Sequence, residues 1–135
     1  MINALHVLSI GTPESNGIVR DALLSRAKSQ LFSATSVWDL SAFLTLGRVD
    51  VAILHNVLSA AELRSCAVYI RHNLPSACIL LIQAESEVLD DPMYDERIEP
   101  GSSKESLLTA IERLAAVARR HADTRGKEHA EPQAQ

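Results

Sequence analysis

The sequence predicts an α/β fold built on one small parallel sheet. Three observations predict it. Short apolar runs recur along the chain, the stretches between them carry apolar residues at helical spacing, and the runs are apolar enough to be covered on both faces. Alternation with short connections means right-handed crossovers and helices on both sides of the sheet. A chain of 135 residues is one domain by length and buries roughly two-thirds of its unfolded surface without metals or disulfides.

The first run, Leu5-His6-Val7-Leu8-Ser9-Ile10, is a strand that turns at Gly11, Thr12 and Pro13. Ser15 or Asn16 is expected to cap the helix that follows, which carries Ile18, Ala22 and Leu23 as its apolar stripe and stops near Lys28. Leu31-Phe32-Ser33-Ala34 is a second strand. Ser36-Val37-Trp38-Asp39 resembles a capping box with Asp in place of Glu, opening a helix that buries Leu40, Phe43 and Leu44 and ends at Gly47. Trp38 is read as a core or half-buried tryptophan on that helix rather than a binding aromatic.

The third strand, residues 50–54, leads into Ser59-Ala60-Ala61-Glu62, a full capping box. Leu63, Cys66, Ala67 and Ile70 share one side of its helix, which Asn73 and Pro75 end. Ala77-Cys78-Ile79-Leu80-Leu81-Ile82 is the most apolar run and reads as a central strand. Residues 83–95 hold five acids, Glu85, Glu87, Asp90, Asp91 and Asp95, and room for one or two helical turns near Ser86–Leu89. Arg97-Ile98-Glu99 is a short last strand closed by Pro100-Gly101. Ser102-Ser103-Lys104-Glu105 is a further capping box, and Leu107, Leu108, Ile111, Leu114, Ala115 and Ala118 form a clean amphipathic face. From His121 the composition turns polar and small, so the domain is placed at residues 1–120 and a disordered tail at 121–135. Five strands alternating with helices in one small sheet give a flavodoxin-like three-layer sandwich of strand order 2-1-3-4-5.

Composition narrows the function. An apolar fraction of 47% and a charged fraction of 22% are those of an ordinary globular domain. Net charge is −4 with scattered basic residues, which argues against direct nucleic-acid binding. No apolar run approaches the ~20 residues that span a bilayer, and the N-terminus shows no basic stretch followed by an apolar one. A cytoplasmic protein without membrane contact is expected. Cys66 and Cys78 lack metal or redox spacing and read as buried free thiols. Gly11-Thr12-Pro13-Glu14-Ser15 is too poor in glycine for a phosphate loop, and no nucleotide, nucleophile-elbow or zinc pattern occurs. No cofactor or metal is implied.

Four stretches carry a resemblance: Leu5-His6-Val7-Leu8-Ser9-Ile10-Gly11-Thr12-Pro13, Val49-Asp50-Val51-Ala52-Ile53-Leu54-His55, Ile79-Leu80-Leu81-Ile82-Gln83-Ala84 and Arg97-Ile98-Glu99-Pro100-Gly101. In order and spacing, residues 5–119 resemble the receiver domain of two-component response regulators. Such domains carry an acidic pair that helps hold Mg²⁺, a phospho-accepting Asp, a Ser or Thr, and a Lys-Pro, each after its own strand. Matched by position, the acidic pair falls on Ile10 and Gly11, the phosphoacceptor on His55, the hydroxyl on Gln83 and the lysine on Glu99. Only the proline remains, as Pro100, which the resemblance implies is preceded by a cis bond. The short stretch between the fourth and fifth strands implies a fourth helix that is shortened or missing.

The losses have physical consequences. Mg²⁺ is a hard cation that takes carboxylate oxygens, and the side chains of Ile10 and Gly11 offer none. His55 has no carboxylate with which to attack phosphorus. Glu99 puts an anion where a cation would pair with an acyl phosphate, a reversal worth several kcal/mol at ~4 Å in a partly screened site. The resemblance therefore implies a non-phosphorylatable, receiver-like signalling domain (a pseudo-receiver), not an enzyme, acting by binding another signalling protein and with a homodimer left open.

His55 is the central candidate. Its expected role is to hydrogen-bond the loops in place of the lost metal, and it stands where an ion pair with Glu99 would couple it to pH. A metal site is disfavoured because His6 and His72 lie far from it. Glu85, Asp90 and Asp91 read as a solvated acidic loop, and Arg113, Arg119 and Arg120 as a solvated face and partner surface. Two other readings stay open: a small-ligand-binding or enzymatic flavodoxin-like domain using the crevice near His55, Gln83 and Glu99, and a structural scaffold.

Overall fold

The computed structural model describes residues 4–26, 28–46, 48–84 and 93–130. Five parallel strands form one sheet in the order β2-β1-β3-β4-β5. They are β1 (Leu5–Ile10), β2 (Ser29–Ala34), β3 (Val51–His55), β4 (Cys78–Ile82) and β5 (Glu96–Ile98), interleaved with α1 (Pro13–Leu23), a 3-10 helix (Val37–Leu46), α2 (Ala60–Asn73) and α3 (Lys104–Ala130).

Alternation along each strand separates the two cores. Leu8, Ile10, Ala52, Leu54, Ile79 and Leu81 face Leu63, Cys66, Ala67 and Ile70 of α2, with Leu40 beside them. Leu5, Val7, Val51, Ile53, Cys78 and Leu80 face Val19, Ala22 and Leu23 of α1 and the stripe of α3 from Leu107 to Ala118. All five residues of β3 are buried, as a strand covered on both faces must be. β5 is only three residues long and half-buried, which leaves a short exposed edge.

The three-layer fold, its strand order and the apolar faces of α2 and α3 match the expectation. Ser59 and Glu62 form the reciprocal capping box. Cys66 and Cys78 are free and buried, and burial pushes both thiols up to about 11. Among the described residues no helix is long and apolar enough to cross a membrane.

Several local expectations are corrected. Thr12, not Ser15 or Asn16, caps α1, because Pro13 at the first helical position sets the start there. The helix stops at Leu23, short of Lys28, which lies at φ 58° in the left-handed region. Ile18 is 55% exposed, and Val19 takes the buried place instead. The segment after β2 is a 3-10 helix rather than an α-helix, and Asp39 accepts hydrogen bonds from the backbone N–H and hydroxyl of Thr35. Trp38 is 85% exposed, not a core residue; the tighter turn sends Leu40 inward and Trp38 out. Ser103 caps α3, while the Ser102 hydroxyl donates to the carbonyl of Glu99.

The Glu99–Pro100 bond is trans. α3 runs on to Ala130, so the backbone from 121 to 130 is helical where composition suggested a disordered tail; Ala, Arg, Lys and Glu propagate a helix already nucleated by packing. Arg113 pairs with Glu96 at the surface, Arg119 is half-buried and Arg120 is exposed. The fourth helix near Ser86–Leu89, the acids Glu85, Glu87, Asp90 and Asp91, the Gly47 cap and the side chains of Phe43 and Leu44 lie outside the described residues.

Leu54→Ala is expected to cost about 2–5 kcal/mol in urea unfolding, against about 0.5 kcal/mol or less for Trp38→Ala. Trp38 is the single tryptophan, so its emission should be that of solvated indole and quench freely with iodide. Blue-shifted, protected emission would contradict its placement.

Candidate functional site

The carboxyl ends of the strands bring Ile10 and Gly11, His55, Gln83, and Glu99 and Pro100 to one end of the sheet. Parallel register makes this unavoidable, since Ile10 pairs with Leu54, His55 with Ile82 and Ile82 with Ile98. His55 closes β3 and is 4% exposed.

Its protonation follows from a chain of hydrogen bonds. The Asn16 side-chain amide donates to the carbonyl of Ala34 at 3.2 Å. A carbonyl only accepts, so the Asn16 carbonyl oxygen must face Ser9, 2.7 Å away, and the Ser9 hydroxyl spends its one proton there. Ser9 can then only accept from His55, and Nε2, at 2.8 Å, carries the proton. Nδ1 keeps its lone pair, and among the described residues nothing hydrogen-bonds it. Burial pushes the His55 pKa down from 6.5 to about 4, so the ring is neutral at neutral pH. His6 and Asp50 lie at the other end of the strands, where the buried Asp50 accepts from the His6 backbone at 3.0 Å and from Arg48 at 3.2 Å.

Gly11 sits against this ring. A Cβ added there would lie 2.3 Å from the Ser15 hydroxyl oxygen and 3.0 Å from two carbons of His55. Any side chain at residue 11 therefore requires the Ser15 hydroxyl to turn aside and the imidazole to shift. Ser9 and Asn16 are buried and completely enclosed partners of His55 that the sequence reading did not single out. The signal available was modest: a serine inside an apolar strand, and an asparagine on the sheet-facing side of the first helical turns. Ser9 is not a nucleophile, because it is 0% exposed and its proton goes to Asn16.

The other expected residues divide. Glu99 pairs with Arg97, and among the described residues it makes no ion pair with His55, which corrects that expectation; a neutral ring offers it no charge. Gln83 is 4% exposed, with its backbone carbonyl accepting from Arg97 at 2.7 Å and its side-chain oxygen buried without a partner among the described residues. It does not line the crevice, whose wall takes Ile82 instead. Glu99, Pro100 and Gly101 join His55 there, and Gly101 holds φ +83°, a conformation that suits glycine. This crevice, about 340 Å³, lies between the start of α1, the end of β3 and the β5–α3 turn. Among the described residues no group of acids, histidines and cysteines could hold a metal ion.

No family model matches this sequence, and no curated protein matches it. Solved structures do. The signal receiver domain of an HD domain-containing protein from Pseudomonas fluorescens Pf-5 superposes with a TM-score of 0.75 at 15% identity, over 91% of this chain and 95% of that one. This chain has the receiver fold. A response regulator from Thermotoga maritima matches with a TM-score of 0.67 at 14% identity, over 84% and 98% of the two chains. The signal receiver domain of a signal transduction histidine kinase from Syntrophus aciditrophicus matches with a TM-score of 0.67 at 15% identity, over 84% and 91%. At such identities it is the receiver architecture that is shared, and the chemistry has to be read from the residues.

Two outcomes follow. Gly11→Ala is expected to destabilise by about 1–3 kcal/mol through overpacking, measured by urea melts. Because the folded pKa of His55 lies below its unfolded value, its contribution is fully present above pH 6.5, is lost as pH falls toward 4 and is gone below that. The loss is at most roughly 3 kcal/mol. His55→Gln should flatten the stability profile between those two pH values, and a wild-type imidazole titrating near 6.5 by NMR would overturn the assignment.

Proposed function

We propose that this chain is a receiver-like signalling domain that is not phosphorylated, a pseudo-receiver, and that it acts through protein–protein interaction. The supporting observation is the enclosed network of Ser9, Asn16 and His55 packed against Gly11. It occupies, with neutral groups, the place where the receiver pattern puts its acidic pair and phosphoacceptor.

The donor set does not fit Mg²⁺. Ile10 and Gly11 bring no side-chain oxygen, and the proton-bearing nitrogen of His55 is committed to Ser9. Glu99 is bound to Arg97, so no lysine-like cation stands ready for an acyl phosphate. Hydrolysis is equally unsupported, since the one serine beside the histidine is sealed and points its proton elsewhere. The degenerate pocket is thus Ile10, Gly11, His55, Gln83, Glu99 and Pro100, holding loops together rather than doing chemistry. The partner is another cytoplasmic signalling protein or a second copy of the chain, recognised by shape rather than by a phosphorylation-driven change.

Amide NMR of the full chain with Mg²⁺, then Mg²⁺ plus beryllofluoride, tests this. The expected result is no saturable shift at Gly11, His55 or Gln83. Saturable shifts centred there would mean the pocket is competent and the reading is wrong.

A further inference from the structure

We propose that the crevice beside His55 is a binding site for a small, largely apolar molecule, uncharged or cationic, that donates one hydrogen bond to the imidazole. It goes beyond the pseudo-receiver reading by supplying an input in place of phosphorylation.

Its size of about 340 Å³ falls within the ~300–1,000 Å³ typical of small-molecule sites. It also lies where open α/β sheets hold ligands, outside the carboxyl ends of the strands, beside those of β3, β4 and β5. The walls are mostly apolar, from Ile18, Val57, Ile82, Ile98 and Leu107. Of the five large hydrophobics exposed among the described residues, Ile18 and Val57 both stand here, 55% and 52% exposed. Both were unexplained as parts of either core. Covering them removes apolar surface from water, which favours an apolar occupant.

The charges select its sign. Among the described residues, Glu14 and Glu99 are the ionised groups lining the crevice, and no lysine or arginine lines it. An anion would lose its hydration and meet no cation. The positive ends of α1 and α3 do not change this, because Glu14 and Glu105 already occupy their first turns. An amine would meet Glu14 favourably, and a neutral molecule would lose nothing.

His55 sets the hydrogen bond. It is 4% exposed and lines the crevice. Its Nε2 proton is committed to Ser9, so Nδ1 is the ring's hydrogen-bond acceptor. An acceptor with no hydrogen-bond partner among the described residues can take a donor, and a ligand N–H supplies one. An anionic or acceptor-only molecule of the same shape has nothing to offer at that position.

The test uses four molecules that share one ring system and differ in one property each: tryptamine, indole, 1-methylindole and indole-3-acetate. Amide NMR titrations of the full chain at neutral pH should give saturable shifts at Gly11, Val57 and Gly101 with tryptamine and indole. Binding of 1-methylindole should be at least fivefold weaker than indole, and indole-3-acetate at least tenfold weaker than tryptamine. Val57→Lys, an exposed position where folding is preserved, should weaken tryptamine about tenfold. His55→Phe, checked for folding by its amide spectrum, should abolish the preference for indole over 1-methylindole. The proposal is overturned if none of the four shifts these residues, if the acetate binds as tightly as the amine, if methylation of the ring nitrogen has no effect, or if Val57→Lys leaves the affinity unchanged. None of these outcomes bears on the pseudo-receiver reading, which the beryllofluoride titration decides separately.

Discussion

A hydrogen-bond chain that begins at the carbonyl of Ala34 and ends at the imidazole of His55 ties four elements together at one end of the sheet. Ala34 closes β2, Asn16 belongs to α1, Ser9 to β1 and His55 to β3. Each group in the chain satisfies its neighbour in one direction only, so a single arrangement of protons is allowed. In a low-dielectric interior such bonds are strong when complete and costly when broken. The position of α1 over the sheet, the tautomer of His55 and the tight approach of Gly11 all depend on that one arrangement.

This network answers a problem that a receiver-like sheet poses. The strand ends of this fold converge on a small volume, and whatever polar groups arrive there must be neutralised. Carboxylates with a divalent cation and a lysine are one solution. At the strand ends of this chain a hydroxyl, a carboxamide and an uncharged imidazole bond to one another, and such groups need no counter-ion. The cost of removing a charge from water is avoided by having no charge there. Beside this network lies the crevice, lined by His55 and by apolar side chains.

The architecture was legible because both of its periodicities are strong. β3 and β4 are runs of apolar residues with few interruptions, α2 and α3 repeat apolar residues at helical spacing, and Ser59-x-x-Glu62 marks its own helix start. Ile10, Gly11, His55, Gln83, Glu99 and Pro100 reach the same end of the sheet because parallel register sends every strand's carboxyl end that way. The misses share a cause. Trp38 and Ile18 carry the same hydrophobicity as core residues, and only the pitch and register of their helices decide whether they face the sheet or water. The helical course of residues 121–130 is likewise an extension of a packed helix, which composition alone does not register.

By itself, then, the sequence determined the order of the elements and the faces of the central strands, since residue type and spacing are properties of the chain. Only the tertiary structure decided what surrounds His55: Ser9, 46 positions away, bonds to it directly, and Asn16, 39 positions away, bonds to Ser9 because α1 folds back across the sheet. The tautomer of the ring, its lowered pKa and the crevice beside it are set by distance and burial, and neither is written in any local stretch of residues.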